Sequence, residues 1–125
     1  MNIHNLGSAC IWSENPEKLA QFYEKTLGLP VDKQLNLPND RGVQFKIGNF
    51  YLFIGYHDQV KGNTQDPYRI MLGFDVDSVQ KVYQELITKK VEFILKPSSS
   101  PDKTFYVTTA KDPEGNIIQF FSDER

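Results

Sequence analysis

The sequence predicts an α+β fold: two βαβββ modules whose strands form a curved mixed sheet around a cleft, with the helices on the outer face. Three observations predict it. Strand-type and helix-type patterning alternates in the order β-α-β-β-β and then repeats that order. Landmarks of the two copies stand at a nearly constant offset: Leu19 and Val82 are 63 apart, and Asn49 and Asn116, each following a glycine, are 67 apart. The chain of 125 residues provides enough core for one domain and too little for two. A single βαβββ sheet is too small to stand alone, so pairing two modules in one domain over residues 1–125 is the physical solution.

The first module covers residues 1–57. It opens with an apolar stretch from Leu6 to Trp12. S-E-N-P follows, in which Asn15 suits a helix N-cap and Pro16 the first helical position. Leu19, Phe22, Tyr23 and Leu27 recur at helical spacing, and Gly28 followed by Pro30 ends the helix. Strands are expected near 30–36, 42–48 and 50–57. Val43, Phe45 and Ile47 alternate with Gln44 and Lys46, the pattern of a half-buried strand. The polar, aperiodic stretch D-Q-V-K-G-N-T-Q-D-P at 58–67 reads as a linker.

The second module, 68–125, repeats the plan. A strand is expected over 68–76, with Ile70, Leu72, Phe74 and Val76 towards the helix. Asp77 is the expected cap of a helix striped by Val79, Val82, Tyr83, Leu86 and Ile87, with Lys89 and Lys90 at its C-terminal end. Strands follow at 91–96, 104–110 and 116–122. D-P-E-G-N at 112–116 is a strong turn sequence between the last two. The different offsets imply an insertion of about four residues in this copy, placed in K-P-S-S-S-P-D-K at 96–103.

Composition narrows the function classes. Apolar residues make up 39% and charged residues 24%, a globular balance rather than a disordered one. The net charge of −2, with no basic run, argues against nucleic acid as a partner. No apolar run approaches 18 residues, so no spanning helix is expected, and M-N-I-H-N-L-G lacks the features of a secretory leader. The single Cys10 forbids an internal disulfide and suits a reducing, cytoplasmic setting. There is no Gly-rich phosphate loop, Ser-His-Asp order or Cys-x-x-Cys pair.

P-E-K-L-A-Q-F-Y-E-K-T-L-G-L at 16–29 and D-P-E-G-N-I-I-Q-F-F at 112–121, in this order within a doubled βαβββ pattern, resemble the vicinal oxygen chelate superfamily. That superfamily includes glyoxalase I, extradiol dioxygenases, fosfomycin-resistance enzymes and bleomycin-resistance proteins. The resemblance covers essentially the whole chain. It implies paired modules, commonly a homodimer, and clefts on the concave sheets. It implies no single reaction, because the fold hosts both enzymes and plain binders.

Enzymes of this superfamily usually hold a divalent metal with His and Glu from four strands. Counting from the two signatures places those four positions on Ser8, Phe53, Met71 and Gln119. None is charged, and Phe53 has no donor atom. A hard divalent cation prefers imidazole and carboxylate ligands, so the metal site reads as lost and no cofactor is expected. The neighbours Gly7 and Ala9, Leu52 and Ile54, Ile70 and Leu72, and Ile118 and Phe120 do not restore it. His4 and His57 share strand parity with Ser8 and Phe53 but come without a placed carboxylate.

Strand alternation assigns a cleft-facing set: Ser8, Cys10 and Trp12; Tyr51 and Phe53, with Gly55 and His57; Arg69 and Met71, with Gly73 and Asp75; and Gln119 and Phe121, with Ile117. The candidate ligand-binding residues are Ser8, Cys10, Trp12, Tyr51, Phe53, Arg69, Met71, Gln119 and Phe121. Apolar and aromatic area with a few hydrogen-bonding groups is how small-molecule sites are composed. The same cluster also reads as plain core. Cys10 is expected to be a buried, inert thiol, since no base lies near it in register. No catalytic residue is assigned. The reading ranks a small-molecule binding protein first, a non-binding scaffold second and a metal-dependent lyase or dioxygenase third. Whether the modules pair within one chain or swap between two stays open.

Overall fold

The computed structural model describes residues 1–125 and has two compact units, Met1–Gly62 and Asn63–Arg125. Each unit is a four-stranded mixed sheet with one helical segment on one face, which gives the α+β class and the repeated βαβββ order.

In the first unit, β1 (Ser8–Ser13) pairs in parallel with β4 (Phe50–Tyr56). Antiparallel β3 (Asp40–Ile47) and β2 (Val31–Leu37) extend the sheet in the order β1-β4-β3-β2. The helix departs from expectation. α1 covers only Pro16–Gln21 and continues as a π-helical turn over Phe22–Thr26. Pro16 does open it, but Asn15 makes no side-chain cap. Instead Ser13 Oγ, wholly buried, accepts the Asn15 N–H at 2.9 Å. Leu19, Ala20 and Tyr23 bury against the sheet side that carries Val43, Phe45, Leu52 and Ile54. These seven side chains are the core of the unit, and their period-2 and helical spacings are what the sequence shows.

In the second unit, β5 (Leu72–Asp75) pairs in parallel with β8 (Ile117–Ser122), and antiparallel β7 (Tyr106–Lys111) and β6 (Phe93–Ser99) complete the order β5-β8-β7-β6. β5 is shorter than expected, Leu72–Asp75. Residues 67–70 form a turn in which the Arg69 Nε contacts Asp66 Oδ2 at 2.7 Å. Ile70, expected under the helix, is therefore 80% exposed. α2 is Val79–Thr88, and its cap is Ser78 rather than Asp77: Ser78 Oγ accepts the Lys81 N–H at 3.2 Å. Val79 and Leu86 are buried with Ile118 and Phe120, whereas Ile87, expected on the stripe, lies at its exposed rim.

The insertion is visible as a loop length. The β6–β7 connection has six residues, 100–105, where the β2–β3 connection has two, 38–39. It lies slightly C-terminal to the expected stretch because β6 runs through Pro97 to Ser99. Pro97 is tolerated there because β6 is an edge strand with irregular register. The D-P-E-G-N turn is built around Asp112, which is 5% exposed. Its Oδ1 accepts the N–H groups of Glu114 and Asn116, and its Oδ2 accepts Asn116 Nδ2 at 2.8 Å.

Candidate functional site

In each unit the helix covers one sheet face and leaves the other without a helix. In the first unit Ser8, Cys10 and Trp12 from β1 and Tyr51, Phe53 and Gly55 from β4 lie on that open face. Alternation explains the sorting: Ala9 and Ile11 are less exposed than Ser8 and Cys10, and Leu52 and Ile54 are buried under α1. Cys10 is exposed, not buried as expected, because β1 is the edge strand of its sheet and Cys10 points away from the helix.

The centre of this face is aromatic. The Phe53 and Trp12 rings meet edge to face at 5.8 Å and 76°, and the His57 imidazole meets Trp12 at 5.5 Å and 68°. The Phe53 ring lies over two glycines that face each other across β3 and β4, Gly42 and Gly55. A Cβ on Gly55 would stand 2.3 Å from Phe53 Cε2 and 2.8 Å from Trp12 Cζ3; one on Gly42 would stand 2.9 Å from Phe53 Cζ. The glycines thus form a floor that lets the rings lie against the backbone. Trp12 remains 40% exposed. Around the rim, Lys46 Nζ sits 5.6 Å from the Tyr51 ring centre, and Gln44 Nε2 donates to Asp32 Oδ2 at 2.9 Å. His57 Nδ1 accepts the Gln59 N–H at 3.1 Å. His4 is exposed, ahead of β1 and not itself part of a strand.

In the second unit Gly73 and Asp75 from β5 and Gln119 and Phe121 from β8 share the corresponding face. Ile117 has their parity but is buried. Gln119 Nε2 reaches Thr109 Oγ1 at 3.5 Å. Met71 precedes β5, and Arg69 lies in the turn, 77% exposed at its side chain and ion-paired with Asp66. Neither belongs to a strand, which corrects the expected 68–76 strand at its first half. Phe121 meets Phe105 at 5.7 Å and 68°. Sequence reasoning missed Phe105 and the glycine floor. Phe105, expected within a strand over 104–110, instead ends the 100–105 loop because β7 begins at Tyr106, and a Gly42–Gly55 pair becomes visible only once strand register is known.

Register relates the four counted positions. Ser8 is two residues before Cys10, the partner of Phe53; Met71 is two residues before Gly73, the partner of Gln119. The same diagonal stagger therefore recurs in both units. No group of three or more His, Cys, Asp or Glu side chains lies within reach of a common point.

Asp102 in the 100–105 loop is held below the usual carboxylate value of 3.8, first by the hydrogen bond from the Thr104 hydroxyl, then by those from Ser100 and the Thr104 amide.

The fold and sequence have known counterparts. A structure from Sphaerobacter thermophilus, a member of the glyoxalase/bleomycin resistance protein/dioxygenase superfamily, is 27% identical over 98% of both chains, with a TM-score of 0.73. A protein assigned to the glyoxalase family from Bacillus anthracis is 24% identical over 98% of both chains, with a TM-score of 0.78. Lactoylglutathione lyase from Agrobacterium tumefaciens shares the fold at 16% identity, covering 98% of this chain and 96% of that one, with a TM-score of 0.72. No protein of curated function matches the sequence significantly. The sequence model of the Glyoxalase/Bleomycin resistance protein/Dioxygenase superfamily matches residues 5–120, and the chain belongs to that superfamily.

Proposed function

We propose that this chain is a superfamily member that binds a small aromatic or amphipathic molecule on its open sheet faces without the usual metal. One observation carries the reading. The open face of the first unit presents Tyr51 beside Trp12 and Phe53, and the Trp12 and Phe53 rings meet edge to face against the backbone of Gly55, with Phe53 also over Gly42. Such rings offer large, rigid contact area at low entropic cost.

The residues at the four metal positions do not fit a divalent ion. Ser8 offers a hydroxyl, Met71 a thioether, Gln119 an amide already near Thr109, and Phe53 nothing. Desolvating a hard cation against such a set gives little return. A metal-dependent lyase or dioxygenase would need other ligands, so we assign no catalytic residue. Arg69, with its charge engaged by Asp66, serves at the rim rather than the floor.

Residues 1–125 act in this reading as one domain and assemble as a homodimer. β1 and β5 are the outermost strands of their sheets. Apolar side chains crowd the chain just before each: Ile3 at 81% and Leu6 at 84% exposed before β1, and Tyr68 at 65% and Ile70 at 80% before β5. Exposed apolar residues beside free edges call for a covering partner, and a second copy is the simplest. The free Cys10 thiol suits a cytoplasmic setting.

Trp12 is the only tryptophan, so its emission reports on this face alone. Titration with a panel of aromatic and amphipathic probes, beginning with 8-anilinonaphthalene-1-sulfonate and uncharged naphthalene derivatives, tests the binding. Saturable, stoichiometric change in Trp12 emission with a matching rise in Tm supports it. A flat response across the panel refutes it and leaves a scaffold role.

A further inference from the structure

The second unit carries a pocket of different chemistry. It has a volume of about 490 Å³ and is lined by Asp75, Val76, Phe105, Phe121, Ser122 and Asp123. That volume falls within the range of small-molecule sites. Phe121 lies over Gly73, where a Cβ would come within 2.8 Å of its Cε2, so the ring rests on the sheet. Phe105 stands edge to face beside it at 5.7 Å and is 36% exposed.

Phe105 is not held by burial. It is held by the inserted loop. The Ser100 N–H donates to the Phe105 carbonyl at 2.8 Å, and the Phe105 N–H donates to Ser100 Oγ at 3.2 Å. Ser100 itself is 3% exposed. Its hydroxyl and that of Thr104 donate to Asp102 Oδ1 at 2.8 and 2.7 Å. The extra residues of this copy thus form a small hydrogen-bonded clamp that presents an aromatic side chain at a pocket mouth.

The pocket has two acids and no cation. Asp75 is the register partner of Phe121, and Asp123 follows Phe121 by two residues, so both lie beside the same ring. Both are exposed, and neither carboxylate enters an ion pair. Elsewhere in the chain seven acids do. Ring faces carry the negative end of their quadrupole, so both the rings and the carboxylates favour positive charge. An anion would meet the wrong sign everywhere, and a neutral ring would gain only dispersion.

We propose that this pocket binds an organic cation, an ammonium group carrying an apolar body, with the charge between Asp75 and Asp123 and the body on Phe105 and Phe121. The proposal rests on the binding reading above and adds the charge of the ligand. Calorimetry on the full chain with benzyltrimethylammonium, benzyl alcohol and phenylacetate tests it. The cation binds saturably, about tenfold or more tighter than either comparator, and weakens with added salt. The double variant Asp75→Asn/Asp123→Asn loses about tenfold in affinity, and Phe105→Ala loses about as much. Glu85→Gln, a surface acid outside the pocket, leaves affinity unchanged. Equal affinity for benzyl alcohol or phenylacetate, or an unaltered double variant, overturns the charge assignment while the binding reading stands. No saturable heat from any of the three overturns the pocket itself, and Trp12 emission then decides the binding reading separately.

Discussion

Replacing Gly55 by alanine perturbs the aromatic face of the first unit without removing a single ring. The added Cβ would stand 2.3 Å from Phe53 Cε2 and 2.8 Å from Trp12 Cζ3, so Phe53 must retreat by more than about 1 Å to reach van der Waals contact. Overpacking of this kind costs about 1–3 kcal/mol. The middle of that range, about 2 kcal/mol, applies: two rings must shift together, but both colliding atoms belong to side chains and Trp12 is 40% exposed. Alanine also recovers about 0.5–1 kcal/mol of the entropy glycine loses in a strand. The net loss is about 1 kcal/mol, or a Tm fall of about 3–5 °C for a chain of this size. Urea unfolding gives the energy, and near-ultraviolet circular dichroism with Trp12 emission reads the ring geometry. A Gly55→Ala protein with unaltered spectra, stabilised by the strand term alone, would refute the glycine floor. Gly42→Ala is the severe comparison. Its Cβ would meet the Ile54 carbonyl oxygen at 2.2 Å and the Gly55 Cα at 2.7 Å, both backbone atoms that move only if the strands part. About 3 kcal/mol is expected there.

Asp112→Ala strips the final hairpin of three hydrogen bonds to a nearly buried carboxylate, and a loss of about 2–3 kcal/mol is expected in urea unfolding. Ser78→Ala removes the cap of α2 at a cost of about 1 kcal/mol, measured the same way. Phe45→Ala, at a fully buried site beneath α1, should cost about 3–5 kcal/mol. The Asp102 clamp has a pH signature. Its folded value is depressed below 3.8, so its contribution is complete above that pH and is lost as pH falls through the lower folded value. Protection of the Thr104 amide against exchange, relative to an Asp102→Ala reference, should therefore hold at neutral pH and disappear only in acid below 3.8.

Periodicity made the two modules and their cores legible in the sequence. Leu19, Tyr23, Val43, Phe45, Leu52 and Ile54 announce themselves by spacing, and the structure buries all six. Caps were less legible. Asn15 does stand at the N-cap of α1 but its side chain caps nothing, while Ser13 Oγ accepts the Asn15 N–H; at α2 it is Ser78, one residue after Asp77, that accepts a helix N–H, from Lys81. β5 failed in its first half. Arg69 and Ile70 have strand-like parity, but the chain turns there, with the Arg69 N–H donating to the Asp66 carbonyl at 3.3 Å, and the strand begins only at Leu72. At the site, parity placed Ser8, Cys10, Trp12, Tyr51 and Phe53 on one face of β1 and β4. It could not show that Phe53 lies over Gly42, a residue 11 positions earlier on another strand, nor that an inserted loop would supply Phe105.

The most direct test of the central claim is calorimetric titration of chelator-treated protein with zinc, nickel, manganese and ferrous iron. With Ser8, Phe53, Met71 and Gln119 at the positions that the resemblance assigns to metal ligands, the account predicts no saturable heat at micromolar metal. Stoichiometric binding of any of these ions would contradict the account. It would return the chain to the metal-dependent members of its superfamily, with His4 and His57 the first residues to replace.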